Sequence, residues 1–257
     1  MITPEQISSL AKTTGLRPHQ QEKNYVQTVV LRSLYSESPG SLVFKGGTAL
    51  MFAFGLRRFS DDLDFTGSPS LDAKKLVERA ATDLKNLGMP SKAKQESDRR
   101  TGESYRLSVE RPLYSSPVSI VSVKVEVSHR EEVIRKPIPL YLDPIYPDVP
   151  PFTYLVMDPG EIVSEKVRAI LTRHQARDIF DLAFLLKKGY TTTVEEIDRK
   201  LDHYHLRFDR GAFRRRLAER KALWKPEMDP IVVGKVPDYV DTVGTIEGHL
   251  SAWAGRL

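Results

Sequence analysis

Two aspartates one residue apart, Asp62 and Asp64, stand in the run Arg58-Phe59-Ser60-Asp61-Asp62-Leu63-Asp64-Phe65. That run begins eleven residues past the second glycine of Lys45-Gly46-Gly47-Thr48-Ala49-Leu50. On a strand, successive side chains point to opposite faces, so the two carboxylates project together, roughly 6–7 Å apart, while Leu63 and Phe65 turn to a core. Such a pair suits a hard divalent cation, and magnesium in particular shares oxygen ligands with substrate phosphates. Gly46 and Gly47, opening a helix, offer closely approachable backbone N–H groups, a positive helix end and the Thr48 hydroxyl, which a metal-bound triphosphate also needs. Together the two runs describe a nucleotide site.

Blander readings exist for each half, since a glycine pair is most often a turn and two aspartates a solvated strand end. A calcium loop fails: Asp62, Asp64, Thr66 and Gly67 fit the first positions of an EF-hand, but Ala73 stands where a bidentate glutamate is required. A P-loop fails because no lysine followed by Ser or Thr closes the glycine turn, and no kinase or G-x-S-x-G signature is present. The six histidines, His19, His129, His174, His203, His205 and His249, form no metal-ligand pattern.

The elements that must position these residues follow from periodicity. Residues 19–36 carry Tyr25, Val26, Val29, Val30 and Leu34 at helical spacing, and Leu42-Val43-Phe44 is extended before a helix from Thr48 to Phe54. Residues 61–66 alternate as a strand, 71–87 form an amphipathic helix closed by Gly88, and strands are expected near 105–110 and 118–128. Six prolines among residues 137–151 rule out a helix or a central strand there. Beyond them the pattern is helical, over 159–173, 176–188, 194–204 and 209–223. The expected organisation is therefore a core over 1–136, a Pro-rich connection over 137–151 and a helical C-terminal domain over 152–257.

Composition narrows the function classes. The 257 residues, 40% hydrophobic and 28% charged, describe a folded globular protein. The longest apolar run, Ala49 to Leu56, is far short of the ~18 residues that suggest a membrane span. With no cysteine and no apolar leader over Met1 to Lys12, disulfide scaffolds, thiolate catalysis and cysteine-held metals drop out, and a cytoplasmic protein is expected. Net charge is +5, yet residues 199–225 hold ten Lys or Arg against three acids. That segment is either a polyanion-binding strip or a solvated helix surface.

The runs Phe44 to Leu50 and Arg58 to Phe65 resemble the first two motifs of the AbiEii/AbiGii family of nucleotidyltransferase-like toxins, which includes the MenT toxins. Ser164-Glu165-Lys166-Val167-Arg168-Ala169-Ile170-Leu171-Thr172-Arg173 and Ala176-Arg177-Asp178-Ile179-Phe180-Asp181-Leu182 resemble its third and fourth motifs. The resemblance implies an α+β (mixed α/β) fold with a DNA-polymerase-β-like nucleotidyltransferase core and a helical C-terminal domain. It further implies transfer of a nucleotide from an NTP, in the MenT branch to the 3′ acceptor end of tRNA, by the toxin of a toxin–antitoxin pair of the abortive-infection type. A cognate antitoxin would be the regulatory partner. Thr48 stands where serine is common in this superfamily.

In such a fold the third metal carboxylate comes from a neighbouring strand, and Glu126 in Val123-Lys124-Val125-Glu126-Val127 is the candidate; a solvent-facing strand glutamate beside Lys124 is the alternative. Lys166 and Arg173 lie two turns apart on one helix face, and Asp178 and Asp181 sit in an apolar helix where bare carboxylates would be costly. Either these charges form an ion-pair network pinning two helices, or Lys166 neutralises the leaving pyrophosphate while Asp178 or Asp181 orients it. Both can hold. Arg207, Arg210, Arg214 and Lys221 form one stripe if their helix is continuous, and an RNA acceptor would dock its phosphates there. The reading that results is a nucleotidyltransferase using two magnesium ions, held by Asp62, Asp64 and Glu126, with Gly46, Gly47, Thr48 and Lys166 on the NTP and an RNA 3′ end, tRNA first, as acceptor. Transfer to a protein or small molecule, and a non-catalytic nucleotide sensor, are the alternatives.

Overall fold

Valine alternating with polar residues through Val121–Ser128 gives a strand with one buried and one half-exposed face, and this strand lies within a seven-stranded mixed sheet. The computed structural model describes the chain apart from residues 111, 131, 252 and 254–257. It divides into two units: Met1–Ala53, Phe59–Glu132 and Pro137–Val156 form the first, and Phe54–Arg58, Val133–Lys136 and Met157–Leu257 the second. The mixed α/β architecture expected from the sequence is present.

In the first unit the elements run α1 (Pro4–Thr14), α2 (Pro18–Glu37), β1 (Leu42–Lys45), α3 (Gly46–Phe54, its last residue in the second unit), β2 (Leu63–Gly67), α4 (Ala73–Asn86), β3 (Ser91–Arg99), β4 (Gly102–Val109), β5 (Val121–Ser128), β6 (Ile138–Leu142) and β7 (Phe152–Val156). The strand order is β3-β4-β5-β2-β1-β7-β6, with β2 parallel to β5, β1 parallel to β7 and the other pairings antiparallel. Helices α2 and α4 pack together and against the sheet, where Phe44 stacks on Phe65 at 5.2 Å between ring centroids and meets Tyr154 edge-on. Thr3 begins α1 with a capping box, and Pro4 and Pro18 occupy first-turn positions where no intrahelical N–H is needed.

The Pro-rich run holds more structure than its composition suggests. Pro139 lies in β6, at the sheet edge, where a strand tolerates a residue without an N–H. The sheet therefore extends through β7, and the first unit ends at Val156, whereas the composition places the connection at 137–151 and opens the helical domain at 152.

The second unit contains α5 (Pro159–Thr172), α6 (Arg177–Lys187), α7 (Val194–Leu201), α8 (Arg210–Ala218), α9 (Trp224–Met228) and α10 (Tyr239–His249). Asp158 caps α5 by accepting from the N–H groups of Gly160 and Glu161, and α5 packs on α6, α7 and α8. Among the described residues no helix is long and apolar enough to cross a membrane.

Candidate active site

Strand β1 turns directly into α3 at Gly46, whose φ of 76° lies in the left-handed region. A second constraint acts at the same residue: a Cβ there would overlap Asp64 Oδ2. Only glycine meets both, so the carboxylate of Asp64 closes on the backbone at the start of α3. Lys45 faces Asp64 across the β1–β2 ladder, and Asp64 faces Glu126 across the parallel β2–β5 ladder. Asp62 precedes β2 by one residue and lies two before Asp64, as the sequence spacing requires.

The loop carrying Asp62 is held from two sides. The buried side-chain amide of Gln27, on α2, donates to the carbonyls of Ser60 and Asp61, each at 2.9 Å, and Lys23 Nζ pairs with Asp61 at 2.7 Å. Thr48 is fully buried, and its hydroxyl donates to the main-chain oxygen of Asp62. Its hydroxyl proton thus fixes the aspartate loop to α3, and a nucleotide at this turn would be met by backbone N–H groups. Neither Lys23 nor Gln27 is marked by the sequence pattern, because each is one polar residue in an ordinary helix.

Burial pushes the Asp62 carboxyl above the usual carboxylate range; Lys23 and Lys124 oppose the shift, and Asp61 and Glu126 reinforce it. The donor set is all oxygen and its carboxylates repel one another, a fit to a hard divalent cation. Among the described residues no group of three or more His, Asp or Glu is already gathered about a metal position. Asp62 and Asp64 stand two residues apart at the start of β2, and the Glu126 carboxylate is drawn to Lys124 Nζ, its neighbour on the same face of β5.

The second cluster lies within the second unit and is fully compensated. Arg58, 2% exposed, grips Asp181 with two hydrogen bonds of 2.6 Å, from Nε and Nη2. Lys166 Nζ bridges Asp181 at 2.6 Å and Asp178 at 3.0 Å, and Arg173 makes a two-pronged contact of 2.8 Å with Asp178. Both aspartates have no exposed surface. Burial alone would raise their carboxyl pKa values, but Lys166 and Arg173 pull Asp178 well below the carboxylate range, and Arg58 and Lys166 pull Asp181 down as well. An ion-pair network does join α5 and α6, with Arg58 as a member that sequence spacing could not reveal. Arg177 donates from Nε to the side-chain oxygen of Gln175 at 3.0 Å.

The basic C-terminal stripe depends on one continuous helix, and the structure breaks it. Arg207 precedes the N-cap of α8 and pairs with Asp202, α8 ends at Ala218, and Lys221 opens a separate 3₁₀ turn. Arg214 pairs with Glu247 at 2.9 Å. Asp209 at the N-cap and Glu219 at the C-cap bound the helix, so Arg207, Arg210, Arg214 and Lys221 do not share one helix face.

Residues 30–245 match the family described as nucleotidyl transferase AbiEii toxin, type IV TA system. Solved structures share the fold. MenT4, a nucleotidyltransferase toxin of Mycobacterium tuberculosis H37Rv, is 20% identical with a TM-score of 0.65, over 96% of this chain and 88% of that one. JHP933 of Helicobacter pylori is 18% identical with a TM-score of 0.59, over 89% of each chain. Among curated proteins none matches this chain.

Proposed function

The chain belongs to the AbiEii nucleotidyl transferase toxin family of type IV toxin–antitoxin systems, and from that premise we propose that it transfers a nucleoside monophosphate from a magnesium-bound NTP to the 3′ end of an RNA, with tRNA as the first acceptor to test. It is a nucleotidyltransferase by family. Its membership also implies a cognate antitoxin as partner.

The observation that carries this reading is the close approach of Asp64 to the glycine start of α3, with Asp62 two residues before it beside further carboxylates. Asp62 and Asp64 would hold the metal, and Glu126 would join them on exchanging Lys124 for it. A bound divalent ion there would activate the acceptor hydroxyl and offset charge on the α-phosphate. The chain's own contribution is positional. Gln27 and Thr48 fix the aspartate loop, and the N–H groups at Gly46 and Gly47 are proposed to orient the triphosphate for in-line attack. Lys166, held by Asp178 and Asp181, is proposed to neutralise the leaving pyrophosphate, a role consistent with three cations facing two carboxylates in that cluster.

The test incubates the protein with each α-labelled NTP, magnesium, total RNA and total protein. Label in RNA that disappears with chelator and with Asp64→Ala supports the reading. Label in protein transfers it to a protein acceptor, and nucleotide binding with no label in any fraction makes the chain a sensor.

A further inference from the structure

From Asp64 outward along the ladder registers, one polar row crosses five strands of the sheet. Lys45 pairs with Asp64, Asp64 with Glu126, Glu126 with Ser104, and Ser104 with Ser97. A β-bulge between Gln95 and Ser97 keeps Ser97 on this face together with Lys94. The rows on either side are also polar: Lys124, Arg106 and Lys94 on one, Ser128, Gly102 and Arg99 on the other. Against these, the opposite face of β4 and β5 is buried and apolar, with Tyr105, Leu107, Val109, Val123 and Val125.

Along this polar face runs a groove of about 370 Å³ whose walls include Arg99, Ser104, Lys124, Glu126, Ser128 and Arg130. Gly102 sits at its floor with a φ of 149°, and a Cβ there would strike the carbonyl of Val127. The acids lining the groove are already engaged: Glu96 by Arg106 at 2.5 Å, Glu126 by Lys124, and Glu103 by the Tyr105 hydroxyl and His129. Lys92, Lys94 and Arg99, all exposed on β3, make no ion pair among the described residues. The face therefore has a surplus of cations, and one end of it is the aspartate pair; the Ser97 and Ser104 hydroxyls bond to each other at 2.8 Å.

We infer that this face of β3, β4 and β5 is the track along which the acceptor RNA approaches, with its backbone phosphates on Lys92, Lys94 and Arg99 and its 3′ end at Asp64. The inference rests on the proposed RNA acceptor and adds where that RNA runs. Charge complementarity selects the occupant: a polyanion matches exposed cations that have no acidic partner among the described residues, and a half-exposed sheet face suits a single strand. Lysines on an edge strand also discourage edge-to-edge pairing. That role accounts for β3 alone and leaves unexplained why the polar row continues inward through β4 and β5.

The test is a triple variant, Lys92→Gln, Lys94→Gln and Arg99→Gln, which keeps the edge polar. RNA affinity is expected to fall at least tenfold, and the slope of log affinity against log salt to become shallower by about two, at roughly 0.7 per single-strand phosphate. NTP binding and the thermal midpoint should stay at wild-type values, and Lys92→Arg with Lys94→Arg should retain affinity. If wild-type protein labels RNA and the triple variant binds it with unchanged affinity and slope, the track is wrong while the proposed reaction stands. The track is equally overturned if Arg210→Gln with Arg214→Gln produces the loss instead. Should wild-type protein label only protein, the RNA acceptor itself is overturned and the track falls with it.

Discussion

Two pairs of aspartates, Asp62 with Asp64 and Asp178 with Asp181, look alike in sequence and differ in electrostatic state. Asp178 and Asp181 are wholly buried, and each is met by two cations, so their carboxyl pKa values are depressed. Around Asp62 burial combines with neighbouring carboxylates, and its pKa is raised. The Asp178 and Asp181 cluster is complete without a ligand. Asp62 is half-buried among other carboxylates, a setting that suits a divalent cation. A buried charge is thus no mark of chemistry by itself; whether its compensation is supplied by the fold decides.

The largest contrast should come from removing one member of each pair. Asp64→Ala is expected to reduce label transfer by more than about 100-fold, since even outer partners of metal ligands act on that scale, with a thermal midpoint near wild type. Asp181→Ala should instead cost about 3–5 kcal/mol of stability, because it strands Arg58 and Lys166 in the interior. A calorimetric midpoint unchanged in Asp181→Ala would erase the distinction.

Lys166→Met asks whether the compensated cluster is also chemical. Loss of transfer far beyond what the fall in midpoint explains would place Lys166 on the substrate; a midpoint loss that accounts for the whole effect would make it structural. At the turn, Gly46→Ala is expected to cost ~1–2 kcal/mol from the left-handed backbone, and more in transfer rate, because its methyl displaces Asp64. Retained activity in that variant would show that the close approach at Gly46 is incidental.

The smallest effect is a difference in sign with pH. For Asp178 and Asp181, lowered in the folded state, the stabilisation is present in full above the unfolded value of about 3.9 and is lost as pH falls through the depressed folded values. Asp62 is raised, so its charge opposes folding as pH climbs from the unfolded value through the folded one. In chelator at neutral pH, Asp62→Asn should therefore equal or slightly exceed wild type in midpoint, and magnesium should stabilise wild type but not the variant. A midpoint for Asp62→Asn well below wild type in chelator would mean that the site is not strained by its own charge.

Sequence by itself determined the Asp62 and Asp64 spacing, the glycine turn, the family motifs and most helices, because strand alternation, glycine stereochemistry and helical periodicity are local rules. It also bounded the second cluster, since aspartates in the apolar run of α6 demand partners. It left β3 unread: Ser91–Arg99 is polar on both faces, as an edge strand can be, and no alternation betrays it. Only the tertiary structure chose Arg58 as partner of Asp181, 123 residues away in the chain, set Glu126 beside Asp64, and broke the basic stripe at Ala218. Each of these depends on which strands pair and where a helix stops, and a charge carries no signal of its partner until the chain has folded back to supply it.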